Sequence, residues 1–198
     1  MAGVLISIGC IVYSMCSSKL FGAFLFSFGL FCIVSLKFNL YTGKIGYLVE
    51  NFNFDYVKEL GLTLLGNFVG AYWMAILINS TRIAVSLREF IVPIVEVKNT
   101  DTFLSLAILS FFCGILMFLG VEINRSAENP ISKVLAIIFV VVIFILSGFE
   151  HCIANMFYML FVKNVDIARL FIMILGNTVG SLFMAFALET VQFDQKKT

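Results

Sequence analysis

Charge is scarce in this 198-residue chain. Asp, Glu, Lys and Arg make up 13% of it, about half the share of an ordinary globular protein, and the formal net charge is only +1. No basic stripe exists to displace phosphate counterions, so nucleic acid is excluded as a partner. The closing Gln195-Lys196-Lys197 reads as a solvated tail. Histidine occurs once, as His151, and the five cysteines (Cys10, Cys16, Cys32, Cys113, Cys152) lie inside apolar stretches without a CxxC pair. A metal centre needs more ligands than that, so no metal and no cofactor are expected. Buried small side chains are the ordinary role for such cysteines. HExxH and the nucleophile elbow are also missing, which leaves an enzyme little to work with.

Apolar residues are what the chain has instead. They form 61% of it, with a mean hydropathy of +1.06, more than a soluble fold of this size can hide from water. A bilayer removes the difficulty, because lipid is then the solvent. Six apolar stretches approach the ~20 residues that a span requires: Ala2–Ser17, Leu20–Phe38, Val57–Ile78, Thr102–Val121, Val134–Phe149 and Ile167–Leu188. Polar connections at Asn51–Asp55, Arg82–Asp101 and Glu122–Lys133 separate them, and Arg88–Pro93 in the longest suggests a short interfacial helix. The first stretch is not a cleavable signal peptide, lacking a basic start and running on into further membrane sequence. It is short, which implies either a tilted span or a truncated start. An even number of spans sets both termini on one side. Which side is not given by basic residues: Lys19, Arg82, Arg88, Lys98, Lys163 and Arg169 balance Lys44, Lys58, Arg125, Lys133, Lys196 and Lys197.

An internal repeat divides the chain. Gly66-Asn67-Phe68-Val69-Gly70-Ala71 in the third span matches Gly176-Asn177-Thr178-Val179-Gly180-Ser181 in the sixth, 110 positions later. Small residues four apart allow close helix approach. Upstream of each copy, by 24 and 25 residues, a polar break interrupts the preceding apolar run, Asn39–Lys44 in one half and Ser147–Cys152 in the other. Three spans per half is an odd number, so the halves, approximately 1–79 and 102–190, must be inverted. The expected fold is a single all-α integral membrane domain of six helices in two inverted three-helix repeats, the second helix of each repeat broken. Such breaks mark transport sites near the bilayer midplane.

The breaks carry the chemistry. Glu150 and His151 follow an unbroken apolar run from Val134 to Leu146, where each charge costs at least ~2.5–3.5 kcal/mol unless it faces protein or water. A His–Glu pair that merely ties two helices is one reading. Proton exchange is the other, since imidazole titrates near pH ~6.5. Thr42 and Gly43 let the first break unwind, and a half-helix starting there turns N–H groups and a positive dipole end toward the pore. Phe26 and Phe144, beside the breaks, suit dry constrictions that reject hydrated ions. Together these features point to a pore for small monovalent anions or their conjugate acids.

Gly148-Phe149-Glu150-His151-Cys152-Ile153-Ala154-Asn155-Met156-Phe157 resembles the GFEHSxANMF signature of the formate/nitrite transporter family, with Cys152 at a common serine position. Leu40-Tyr41-Thr42-Gly43 resembles that family's LFTG loop, and both GNxVG segments fit. The resemblance runs from Ala2 to the last span. It implies an aquaporin-like protomer, a homopentamer with one pore per subunit, and residence in the cell membrane with both termini cytoplasmic. It implies that Thr42 is the loop threonine, His151 the central histidine with Glu150 in support, and Lys98 the vestibule lysine that attracts anions. Phe26 and Phe144 would form the outer constriction, Leu30 and Leu40 with Tyr41 the inner one, and Asn155 and Asn177 polar structural positions. Departures occur at Asn39, where an acidic residue is usual, at Gly114 for asparagine and at Glu122 for tryptophan. The family's amphipathic N-terminal helix is absent from the sequence.

The mechanism expected from these residues is transport of an anion such as formate, nitrite, hydrosulfide or a short carboxylate, together with a proton. Moving the anion into low dielectric raises its proton affinity. It takes a proton from the His151 region, crosses as a neutral acid and releases the proton beyond. The rival readings are a membrane enzyme using His151 and Glu150, and a non-conducting subunit of the same fold.

Overall fold

The computed structural model of the chain describes residues 1–162 and 166–195. Lys163, Lys196 and Lys197, which entered the comparison of basic residues, lie outside the described residues. The elements run α1 (Ala2–Met15), α2 (Lys19–Ser35), α3 (Tyr41–Lys44, continued as a 3-10 turn over Ile45–Leu48), α4 (Phe54–Asn79), α5 (Ala84–Thr100), α6 (Phe103–Ser126), α7 (Pro130–Leu146), α8 (Cys152–Met159) and α9 (Ile167–Gln195). Their starts are written in the sequence. The side chains of Ser18, Asn53, Thr102 and Asn129 each accept a first-turn N–H, and Pro130 occupies the first helical position of α7, where no N–H is needed.

By length and composition α4, α6 and α9 can cross a bilayer alone, whereas α1, α2 and α7 are shorter apolar helices. Here α2 with α3, and α7 with α8, make two broken spans, so six crossings result. The sequence places the ends of these helices several residues off. Helix α2 ends at Ser35 rather than Phe38 and α7 at Leu146 rather than Phe149, because an apolar loop residue and an apolar helix residue look alike to hydropathy. Arg88–Pro93 is the middle of the 17-residue α5 rather than a short interfacial helix. Its Pro93 is tolerated inside, and its buried face (Leu87, Ile91, Val95) packs toward α1 and α8.

Both broken helices stop in the same way. At the end of α2 Lys37 takes φ 58, with Lys37 N–H on Val34 O at 3.2 Å and Phe38 N–H on Ile33 O at 2.9 Å. At the end of α7 Gly148 takes φ 69, with Gly148 N–H on Ile145 O at 3.2 Å and Phe149 N–H on Phe144 O at 2.9 Å. These are Schellman stops, in which one left-handed residue lets two N–H groups return to the last turn. Glycine adopts that conformation freely. Lysine does so at a cost of about 1 kcal/mol.

The two halves also pack alike. Helix α1 crosses α4 with Gly3 against the Asn67 carbonyl, and α6 crosses α9 with Gly114 against the Asn177 carbonyl. A Cβ on either glycine would overlap that backbone oxygen. At Gly114 the fourth span leaves no room for a side chain. The small-residue motif is used unequally. Gly70, Gly176 and Gly180 are pressed against neighbouring helices, while Gly66 meets nothing within 4 Å, so the first copy makes its close approach through Gly70 and Ala71.

Candidate functional site

Each break is clamped by the asparagine of the GN motif in its own half. Asn67 accepts the Tyr41 N–H at 3.0 Å through Oδ1 and donates to Asn39 O at 2.9 Å through Nδ2. Asn177 accepts the Cys152 N–H at 2.8 Å and donates to Glu150 O at 2.8 Å and Ser110 O at 2.8 Å. A buried amide is suited to this because one side chain satisfies both an N–H and a carbonyl freed by the break. The clamps also set the register of the repeat. Tyr41 corresponds to Cys152 and Asn39 to Glu150, so the counterpart of His151 is Leu40 and that of Thr42 is Ile153. Thr42 and His151 are therefore not repeat equivalents, although they meet.

Their meeting is buried between the two breaks. Thr42 Oγ1 lies 2.9 Å from His151 Nε2, with both residues buried. His151 also caps α8, its Nδ1 accepting the Ala154 N–H at 3.2 Å. A nitrogen that accepts carries its lone pair, so the ring hydrogen of the neutral imidazole sits on Nε2 and points at the Thr42 oxygen. Part of the first-turn N–H supply of the half-helices is consumed in this way, since Tyr41, Cys152 and Ala154 all donate to side chains. Half-helix α3 begins at Tyr41, two residues before Gly43.

Beside the histidine a cavity of ≈ 590 Å³ opens, bounded by Tyr13, Phe90, Lys98, Leu109, Phe144 and Tyr158 among others, with Glu150, His151 and Asn155 on its wall. Lys98 reaches in from the last turn of α5. Its ammonium lies 2.6 Å from Glu150 Oε2 and 2.7 Å from Asn155 Oδ1, and it stands 5.8 Å from the centre of the Tyr158 ring. Asn155 closes the triangle, donating to Glu150 Oε2 at 2.8 Å and to His151 O at 3.0 Å. The side chains of Lys98 and Glu150 are 13% and 8% exposed. A pair so desolvated is held by mutual attraction and by these extra hydrogen bonds, and neither member survives well alone. Sequence reading put Glu150 with His151. The structure turns its carboxylate to Lys98 and only its backbone carbonyl toward the Asn177 clamp.

The apolar positions expected at constrictions are all buried. Phe26 and Phe144 meet edge to face with ring centres 5.9 Å apart, and Phe144 stacks on His151 at 5.7 Å. Leu30 and Leu40 are buried, and Tyr41 is fixed by its hydroxyl, 2.8 Å from Thr178 Oγ1. Sequence reading missed Tyr158, Tyr13 and the clamp role of Asn67. It also missed Tyr47, which contacts Glu122. The signal was available for Tyr47 and Tyr158, which stand 111 positions apart, the spacing at which Lys37 matches Gly148.

Comparisons with known proteins agree on one family. The model described as "Formate/nitrite transporter" matches residues 1–188. A formate-nitrite transporter of Plasmodium vivax is 25% identical over 190 residues, covering 83% of this chain and 61% of that protein. The formate channel FocA of Haemophilus influenzae is 28% identical over 149 residues, covering 71% and 52%. The uncharacterized transporter YrhG of Bacillus subtilis is 30% identical over 150 residues, covering 71% and 56%. The chain thus spans between half and two thirds of the length of these relatives. Two solved structures share the fold at 22% identity. A pentameric formate channel with formate bound has a TM-score of 0.76 and covers 99% of this chain and 93% of that one. An FNT family ion channel has a TM-score of 0.81, with coverage of 96% and 87%. These relatives are transporters and channels, not enzymes, which sets aside the membrane-enzyme reading.

Proposed function

The chain belongs to the formate/nitrite transporter family, and from that premise we propose that it passes small monovalent weak-acid anions, each with a proton, through a pore centred on His151 and Thr42. Formate, nitrite, hydrosulfide and short carboxylates are the substrate class. The observation that carries the reading is the 2.9 Å contact between Thr42 Oγ1 and His151 Nε2, at the boundary between a polar vestibule and a dry layer. The whole chain acts as one channel unit of two repeats. By analogy with the pentameric formate channel that shares its fold, it assembles as a homopentamer with a pore in each protomer. It lies in the cell membrane with both termini cytoplasmic.

Lys98 admits the anion to the vestibule by cancelling the charge of Glu150, and Glu150 and Asn155 hold the ammonium in position. Beyond the Phe26–Phe144 pair the anion loses water, and its proton affinity rises. There the Nε2–H of His151 and the Thr42 hydroxyl offer it hydrogen bonds. The imidazole gives its Nε2 hydrogen to the anion while Nδ1 takes a replacement from vestibule water, which requires the Ala154 N–H to let go. The hydroxide left behind is neutralised by external protons, and loss of the Nδ1 hydrogen to water with return of one to Nε2 resets the ring for the next anion. The neutral acid passes Leu30, Leu40 and Tyr41 and ionises on reaching water.

The test is flux in proteoliposomes carrying an internal pH dye. With formate outside at pH 6, the lumen should acidify in step with formate entry, and a large divalent anion such as sulfate should not enter. Formate entry without acidification would remove the proton from the mechanism. No entry of any small anion would favour a non-conducting subunit.

A further inference from the structure

The inverted architecture gives the pore two mouths, and only one has been described. Tyr158, on half-helix α8, lines the vestibule with Lys98 at its ring. Its repeat counterpart is Tyr47, on the 3-10 turn that continues α3 toward the opposite mouth. A cation stands on that ring as well: the Arg125 guanidinium is 4.9 Å from the centre of Tyr47. Each cation is also paired with a buried carboxylate. Lys98 has Glu150, and Arg125 has Glu122, whose Oε2 accepts from Arg125 Nε at 2.9 Å and whose Oε1 accepts from Nη2 at 3.0 Å. The Tyr47 hydroxyl donates to the same carboxylate at 2.8 Å. The two clusters sit on different elements and use different residue types, but each sets a cation beside a tyrosine ring and a buried carboxylate.

Location supports a role in permeation. On α6 Arg125 is one turn beyond Val121, and Val121 packs on Gly43, the residue after Thr42. Arg125 therefore stands ~6 Å along the helix from the layer that holds the central contact. The clusters differ in one respect that matters for binding. The Lys98 side chain is 13% exposed, whereas that of Arg125 is 57% exposed. A salt bridge exposed on both sides contributes little, but Glu122 is buried and carries three donors, so its charge is largely answered from within. Glu122 takes the Nε–Nη2 edge of the guanidinium, which leaves the Nη1–Nη2 edge for a ligand on a side chain that is 57% exposed.

We infer that Arg125, oriented by Glu122 and Tyr47, is the anion-docking group of the mouth opposite Lys98, and that it is built for planar oxyanions. A guanidinium fork matches the two oxygens of formate, a short carboxylate or nitrite, whereas hydrosulfide offers a single atom and gains less from the fork. This rests on the transport reading above. It gives the pore a docking cation at each end, differing in chemistry: a recessed ammonium at one and an exposed guanidinium at the other.

The experiment measures flux across planar bilayers holding the full chain, with formate supplied to one chamber at a time. Arg125→Gln should raise the half-saturating formate concentration roughly fivefold from the Arg125 side and leave the Lys98 side unchanged. Arg125→Lys should restore part of the affinity for formate and nearly all of it for hydrosulfide. A purely structural tie between the 3-10 turn and α6 would instead lower flux equally from both sides and depress the melting temperature. That result, or unchanged affinity in Arg125→Gln, overturns the inference while leaving the transport reading intact. A wild-type chain that passes no anion from either side overturns both.

Discussion

Replacing Lys98 with methionine should lower formate flux by roughly 100-fold, and the companion change Glu150→Gln should restore most of it. In the wild type the ammonium and the carboxylate lie 2.6 Å apart, and the vestibule has almost no net charge. Removing Lys98 leaves a carboxylate held only by Asn155 on the wall that the anion must pass. Two like charges at ~6 Å in an effective dielectric of ~20 repel by about 3 kcal/mol, which corresponds to roughly two orders of magnitude in rate. In the double variant the repulsion disappears, and flux should return to within about tenfold of the wild type. The sign of this restoration separates two ideas of the lysine. If Lys98 acts as a simple attractor, the double variant should be as poor as the single one. If it mainly cancels Glu150, the double variant should recover. Single-variant flux at the wild-type level would contradict both.

Asn177→Leu should destabilise the fold by roughly 4 kcal/mol, because three buried backbone groups lose their partner at once, each worth about 1–3 kcal/mol when left unsatisfied. That is a large part of the stability of an ordinary domain. Asn67→Leu removes two such bonds and should cost less. Melting of the detergent-solubilised protein, followed by tryptophan fluorescence or aggregation, should order the variants as wild type, then Asn67→Leu, then Asn177→Leu. An Asn177→Leu protein that melts with the wild type would mean that water or the backbone itself satisfies the break.

The asparagines also mark what sequence could and could not deliver. Spans, breaks and the GN repeat were all legible, because hydropathy and small-residue spacing are local properties. The signature around His151 named the family correctly. The function of Asn67 was not legible, since its partners Asn39 and Tyr41 are more than 25 positions away and no local pattern announces a hydrogen bond to a backbone that has stopped being helical. Register was lost for a similar reason. The 110-position motif spacing and the 111-position spacing of the breaks differ by one residue, enough to make Leu40 rather than Tyr41 the counterpart of His151. The partner of the Glu150 carboxylate was not legible, because adjacency in sequence suggests a pair with His151, whereas Lys98, 52 positions away, is what meets it. Helix α5 was underestimated because its charges and Pro93 look like a connection. Its helical face is apparent only once α1 and α8 are there to cover Leu87, Ile91 and Val95.

The proposal that permeation depends on proton exchange at His151 meets its most direct test in His151→Ala, compared with wild type in proteoliposomes across external pH 5 to 8. For the wild type, formate entry and lumen acidification should rise together as external pH falls, since each anion travels with a proton. In His151→Ala the vestibule with Lys98 and Glu150 remains, but the Nε2–H donor to Thr42 is gone, so flux should fall and its dependence on pH should change shape. Unchanged flux with an unchanged pH profile would contradict the role given to His151.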